Sequence, residues 1–174
     1  VSDNGFEITA MAYKAHGNAT NQVAKRAIES GFIGRFGSLS PSDSINTSRY
    51  SLSSQWARTS EFRVTNINAY YVRSEFELNS NFTNFLNFPI AGDQIQQKED
   101  RNTFGINGSR SWFGSVNSHK IENTVGFQMR YDNVNPISLS RAQGGVPMAK
   151  LDSNGKLHSS NIRRDILNEY NISF

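Results

Sequence analysis

The chain lacks cysteine and any long hydrophobic run. Without cysteine it can form neither a disulfide framework nor a thiolate metal site. No stretch approaches the roughly 18 consecutive apolar residues that a transmembrane helix requires. Hydrophobic residues make up only 36% of the 174 residues, and the mean hydropathy is -0.56. A soluble domain of this length needs a contiguous core, and apolar residues spread this thinly supply one poorly.

Blocks of charge are also missing. The formal net charge is +3 and the pI is about 9.3, but basic and acidic residues are interspersed along the chain. Proteins that bind nucleic acids concentrate Lys and Arg in a patch or stripe. The dispersed pattern is typical of a solvated surface or lumen, so we expect no nucleic-acid partner.

No motif indicates a metal or nucleophilic site. His16, His119 and His158 do not share the spacing of metal ligands. No serine lies in a G-x-S-x-G nucleophile elbow. Residues 105–108 lack the following Lys and helix of a phosphate-binding loop. We therefore predict neither a metal nor another cofactor.

One pair of carboxylates could imitate a glycosidase site. On a strand, Glu75 and Glu77 would share one face about 7 Å apart. Their neighbour Arg73 continues an alternation of charge that suits a wet lumen better than a catalytic pair. We find no catalytic constellation and predict that the chain is not an enzyme.

The strongest positive signal is an alternation of apolar and polar residues, clearest over residues 121–132. Successive side chains of a strand point to opposite faces. This segment therefore predicts a ribbon with one apolar and one charged face. The apolar parity, interrupted only by Asn123, holds Ile121, Val125, Phe127, Met129 and Tyr131.

Similar segments recur, and the links between them alternate in length. The predicted strands cover residues 5–15, 48–58, 62–82, 101–113, 121–132 and 163–174. Long links (16–47, 83–100, 133–162) alternate with short turns (59–61, 114–118). Long loops at one end of a sheet and tight turns at the other are the mark of an outer-membrane β-barrel. The predicted fold class is all-β, with about six antiparallel up-and-down transmembrane barrel strands.

The long links carry some local structure. The first is predicted to hold one short helix, with Thr20 as its N-cap and Gly31 just beyond its end. The third contains the turn signal of residues 153–155 and is compatible with a small hairpin.

Two features bear on which face meets lipid. In the third strand, Tyr70, Val72, Phe76 and Leu78 oppose Arg73, Glu75, Glu77 and Asn79, and we expect the four apolar residues to share one face with Phe127 and Met129. Trp56 and Trp112 both precede short turns, where an aromatic girdle would place them. Arg110 interrupts the apolar parity, which indicates either a side chain that snorkels to the interface or a bulge.

Several soft motifs resemble the barrel of a TonB-dependent outer-membrane receptor. They are strand and loop patterns rather than catalytic signatures, and they extend over most of the chain. The segments are FEITAMAY (6–13), NATNQ (18–22), RAIESGFI (26–33), RFG (35–37), SRYSLS (48–53), SNFT (80–83), WFG (112–114) and ENTVG (122–126).

The resemblance implies a barrel of about 22 strands that is closed by an N-terminal plug. Such a receptor imports a scarce nutrient, for example a siderophore or carbohydrate, with energy passed from an inner-membrane complex. We expect residues 1–174 to be a barrel segment without its plug, located in the bacterial outer membrane and in contact with its lipid. Residues 1–5 carry no signal peptide, so we expect that it was lost or that the sequence is an excised piece. The resemblance identifies no ligand-binding residues.

Two alternatives remain open. About 170 residues can hold a complete eight-stranded barrel filled with side chains. From another class, a soluble carbohydrate-binding β-sandwich would use the aromatic residues as a core or as a sugar platform. A Greek-key sandwich, however, has no reason to place every long link at one end.

Overall fold

The chain folds almost entirely into β-strands. The computed structural model describes residues 4–19, 22–81, 83, 85–90, 92–151, 153, 157–159 and 161–174. The strands are β1 (Gly5–Asn18), β2 (Ser44–Ser60), β3 (Arg63–Ser80), β4 (Ile95–Val116), β5 (His119–Gln143), β6 (Val146–Pro147), β7 (Ala149–Leu151), β8 (Leu157–Ser159) and β9 (Asn161–Ser173), with one helix, α1 (Lys25–Glu29). The all-β class is therefore confirmed.

Seven of these strands form one antiparallel sheet in up-and-down order. The order is β1-β2-β3-β4-β5, and both the short β6 and the long β9 pair with β5. Within the described residues β1 pairs only with β2 and β9 only with β5, so the sheet is open and not closed into a barrel. The described part of the chain therefore has six long strands, of which β1 and β9 are the two free edges.

The alternation of long and short links is confirmed. Residues 61–62 and 117–118 form two-residue turns at one end of the sheet, whereas the three long links lie at the other end. Asn117 and Ser118 have φ values of 48° and 66°. Positive φ at both central residues is the geometry whose twist matches that of a hairpin. The turn that we predicted over residues 114–118 therefore spans only residues 117–118.

Several strand bounds were predicted too short. β4 begins at Ile95 rather than 101, and β5 continues to Gln143 rather than ending at 132. In β4, residues 96–100 are polar on both faces, and in β5 the apolar residues beyond 132 no longer keep one parity, so the pattern is lost although backbone pairing continues. A bulge in β5 skips residues 135–136, where Pro136 has no N–H to donate.

The short helix and the small hairpin are both present. Helix α1 follows Ala24, which makes no side-chain cap bond, and Gly31 with φ 74° lies just beyond its end as predicted. Thr20, the predicted N-cap, lies outside the described residues. β7 and β8 pair as the predicted hairpin in the third link. No helix in the described part of the chain is long and apolar enough to cross a membrane.

The predicted faces of β3 are wrong. Directly paired residues share a face, and β2 pairs Leu52 with Tyr71 and Ser53 with Tyr70. Tyr71, not Tyr70, therefore shares the face of Phe127 and Met129. The two-residue turn at 61–62 sets this register. The four apolar residues that we expected on the face of Phe127 and Met129 therefore lie on the opposite face (Tyr70, Val72, Phe76, Leu78). The four polar residues lie on the face of Phe127 and Met129 instead (Arg73, Glu75, Glu77, Asn79). β3 has apolar residues on both parities, so alternation alone could not choose between them.

Candidate functional site: the two faces of the sheet

One face of the sheet carries a continuous apolar band, which we call the apolar face. The register brings apolar side chains of all six long strands into neighbouring positions there. Its members are Phe6, Ile8, Ala10, Leu52, Trp56, Ile67, Ala69, Tyr71, Phe104, Ile106, Trp112, Val125, Phe127, Met129, Tyr131, Tyr170 and Ile172. Apart from β3, these are the parities that the sequence predicts.

A row of aromatic rings bounds the band on the side of the long links. Tyr71 and Phe104 have ring centroids 4.7 Å apart, Phe104 and Tyr131 6.4 Å, and Tyr131 and Tyr170 4.6 Å. The Tyr71 hydroxyl donates to Asn102 Oδ1 at 2.7 Å. The rings therefore meet the apolar band on one side and the polar end of the sheet on the other, as interfacial aromatic residues do.

Tryptophans bound the band on the side of the short turns. Trp56 and Trp112 each lie four residues before the end of their strands, at Ser60 and Val116. The Arg110 guanidinium stands 5.4 Å from the Trp112 ring centroid, with no register shift nearby, so the bulge explanation for Arg110 is wrong. From Phe104 to Trp112 the band measures about 27 Å along β4, which projects to about 19 Å on an axis inclined at 45° to the strand, the upper end of the usual tilt of barrel strands.

Burial is inverted relative to a soluble protein. Among the described residues only two hydrophobic residues are buried, Val134 and Ala142, whereas Phe104 is 49% exposed and Ile106 39%. Nine buried residues are polar: Asp43, Ser48, Asn79, Ser80, Asn81, Gln94, Thr103, Asp132 and Ser140. The accessible surface is 12579 Å², against about 8,500 Å² expected for a soluble monomer of this mass. An exposed apolar face of this extent is typical of a surface that contacts a membrane or another protein.

The opposite side, which we call the polar face, holds a network of ion pairs. Asp132 accepts hydrogen bonds from Arg130 Nε at 2.6 Å and from the Thr103 hydroxyl at 2.7 Å. Arg101 lies 3.6 Å from the same carboxylate and donates to Glu99 at 2.8 Å. Asp132 is therefore nearly buried yet fully partnered, as a buried carboxylate must be.

A buried polar hub joins the three long links. The Gln94 side-chain amide donates to Asp43 Oδ1 at 2.9 Å and to the Ser42 hydroxyl at 2.9 Å. Its carbonyl accepts from the Gly145 backbone N–H at 2.7 Å, while Asp43 Oδ2 accepts from the Asn81 N–H at 3.0 Å. Asp43 and Gln94 are only 1% and 3% exposed. Residues from all three links thus meet at one glutamine.

Asp93 organises the second link. Partial desolvation would raise the pKa of this carboxyl, but hydrogen bonds from the Asn87 backbone, the Thr83 hydroxyl and the Phe88 backbone outweigh it, and its pKa is lowered. The donor–acceptor distances are 2.8 Å from Thr83 and 2.8 Å from Phe88. The link is therefore held best when Asp93 is ionised.

The residues considered as catalytic candidates do not converge. His16 Nδ1 lies 2.6 Å from Asn46 Oδ1, and the side chain of His158 lies outside the described set. Glu75 accepts from Arg73 at 2.7 Å and from Ser48 at 3.1 Å, beyond the aromatic row on the apolar side and not on the polar face as predicted. In the described part of the chain no group of three or more His, Asp or Glu could hold a metal ion.

Sequence reasoning missed two features of these faces. The hub joins residues 51 apart in the chain, and no local signal marks it. Gly105 lies within a strand, where glycine often marks a close approach, and the Tyr70 ring occupies the space that its Cβ would fill. That signal was available in the sequence.

No protein-family model, curated protein or solved structure matches this chain.

Proposed function

We propose that this chain forms part of the wall of an outer-membrane β-barrel, with its apolar face against lipid and its polar face lining a water-filled lumen. The observation that carries the proposal is the inverted burial: the apolar side chains of one face are exposed, whereas the buried residues are mostly polar and lie in the links, near the long-link end of the sheet and, as Thr103 and Asp132, on the polar face. The two aromatic borders and the link lengths support it.

Within this class we propose a TonB-dependent receptor, which takes up a scarce nutrient with energy from an inner-membrane complex. The proposal rests on the soft motifs of the strands and links, and on a sheet whose two open edges invite further barrel strands. A plug domain outside this segment would contact the energy-coupling complex. The chain then contributes wall and outer loops, and no catalysis.

Cysteine labelling tests the two faces directly, because the chain contains no cysteine of its own. Single cysteines at Val125, Phe127 and Met129 should react with a lipid-soluble maleimide in vesicles and resist a charged one. Cysteines at Gln128 and Arg130 should show the reverse. These positions alternate along one strand, so each is the matched control of its neighbour.

Two outcomes would contradict the proposal. If both reagents label neighbouring positions of β5 equally, the strand does not have one lipid-facing and one water-facing side. A chain that stays monomeric without detergent, and whose apolar-face cysteines are protected from both reagents, would have an ordinary internal core. The soluble carbohydrate-binding sandwich would then be the better explanation.

A further inference from the structure

An aromatic ring lies across a glycine on the polar face. Tyr70 and Gly105 are directly paired between β3 and β4, and a Cβ at Gly105 would overlap the Tyr70 ring and hydroxyl. The ring therefore leans from β3 over the backbone of β4. Tyr70 is half-buried, so the residue keeps some accessible surface.

A row of four carboxamides runs beside this ring. The register pairs Gln55 with Asn68, Asn68 with Asn107, and Asn107 with Gln128, across β2, β3, β4 and β5. We call these residues the amide row. Asn68 precedes Tyr70 by two residues, so the amide row and the ring share the polar face as nearest neighbours along the strand. Each carboxamide offers two donor hydrogens and one acceptor oxygen.

Charge next to the ring is balanced rather than of one sign. Arg130 pairs with Gly105 from the β5 side, and its guanidinium is held by Asp132 through bonds of 2.6 and 3.0 Å. A ligand with a net charge would therefore find no unpaired counter-charge in this pair. An apolar ring face bordered by neutral carboxamides and by a charge pair that neutralises itself suits a neutral molecule rich in hydroxyl groups.

We propose that Tyr70 and the amide row form a binding site for a neutral saccharide. Its ring C–H face would pack on Tyr70, and its hydroxyls would exchange hydrogen bonds with Asn68, Asn107 and Gln128. Sugars present both an apolar C–H face and pairs of hydroxyls, which match the ring and the carboxamides. This proposal names the class of nutrient that the proposed function leaves open. It rests on the proposed function in one respect: the polar face must be in contact with water.

Titration of the chain folded in detergent micelles tests the site. The probes are four neutral trisaccharides, built from glucose, galactose, mannose and N-acetylglucosamine. Saturation-transfer NMR should show binding of at least one, with the strongest signal on the C–H protons of one sugar face. A trigalacturonate probe should bind at least tenfold more weakly, because the nearby charges are already paired. Absence of binding by every neutral probe would overturn the inference.

Matched variants separate the ring from its surroundings. Tyr70→Ala should weaken binding about tenfold or more, and Tyr70→Phe should stay within about twofold, because the ring supplies the contact. Tyr71→Ala removes the adjacent ring on the opposite face and should leave binding unchanged. Asn107→Ala should weaken binding about fivefold. Equal effects of Tyr70→Ala and Tyr71→Ala would refute a site on the polar face.

A second variant guards against misfolding. Gly105→Ala keeps the tyrosine but displaces its ring, so it should weaken binding while the far-ultraviolet circular dichroism stays unchanged; unaltered binding would refute the geometry.

A water-soluble maleimide on Gln128→Cys separates the two proposals. If that cysteine reacts and no sugar binds the chain with Gln128 in place, only the saccharide site fails. If it does not react, the water-lined face of the proposed function fails.

Discussion

Ile106→Arg is the sharpest test of a lipid-facing band. Ile106 lies on the central strand β4, paired with Ala69 on β3 and Met129 on β5, all on the apolar face. An arginine on a barrel's lipid face costs about 2–4 kcal/mol at the midplane and about 0–1 kcal/mol near the interfaces. Ile106 lies two residues inside the Phe104 border of the band, so we expect a cost of about 1–3 kcal/mol there. If the face met water instead, an exposed substitution should stay within about 0.5 kcal/mol. The two cases differ by about 0.5–2.5 kcal/mol, or about 2- to 70-fold in the folding equilibrium constant.

Asn107→Arg is the matched control, since it places the same side chain one residue further on, on the polar face. There we expect a change within about 0.5 kcal/mol. Trp112→Arg, near the border of the band, should cost about 0–1 kcal/mol, because the penalty falls towards the interface.

The assay is urea unfolding of the chain in phospholipid vesicles, followed by the fluorescence of Trp56 and Trp112, or only Trp56 for the Trp112 variant. Both tryptophans lie on the apolar face and should report loss of the bilayer environment. Protease protection in the same vesicles measures insertion independently. Equal costs for Ile106→Arg and Asn107→Arg, or a larger cost for Asn107→Arg, would refute the assignment of the faces.

The links and the edges can be tested in four further ways. Gln94→Ala should cost about 1–3 kcal/mol and raise proteolysis of all three long links together, whereas the exposed Gln97→Ala should raise none. The pKa of Asp93 is lowered from its ordinary value of 3.8, so this carboxylate stabilises the second link above pH 3.8. The stabilisation is lost as the pH falls through the lower pKa of the folded state, and hydrogen exchange of the link should show this loss. Asp93→Asn should abolish the pH dependence. An epitope inserted after the exposed Phe36 should be reached by antibody on intact cells, and one between residues 61 and 62 should not. Without detergent, sedimentation should show association rather than a monodisperse monomer.

Much of the architecture was readable from local pattern. The alternation over residues 121–132 predicted which side chains of β5 share a face, and the pairing of Phe104 with Tyr131 and of Met129 with Ile172 agrees with it. The contrast of link lengths predicted the up-and-down order, because strands joined by two-residue turns pair with their neighbours in sequence. The strand ends were less readable, since pairing continues in β4 through residues that are polar on both faces and in β5 through apolar residues that do not keep one parity.

The candidate sites depended on contacts between distant residues. Tyr70 and Gly105 are 35 residues apart, and the hub bond of Gln94 to Asp43 spans 51. Strand β3 has apolar residues on both parities, so only its register with β2 and β4 places Tyr71 on the apolar face and Tyr70 on the polar face.

The sequence by itself therefore determined the strands, their order and the two-faced character of most of them, because period-two alternation and turn chemistry are local properties. The tertiary structure decided which of the two β3 faces joins the apolar band, where the links meet, and which aromatic ring lies beside the carboxamides. Those outcomes depend on register, and a shift of one residue moves every side chain of a strand to the other face.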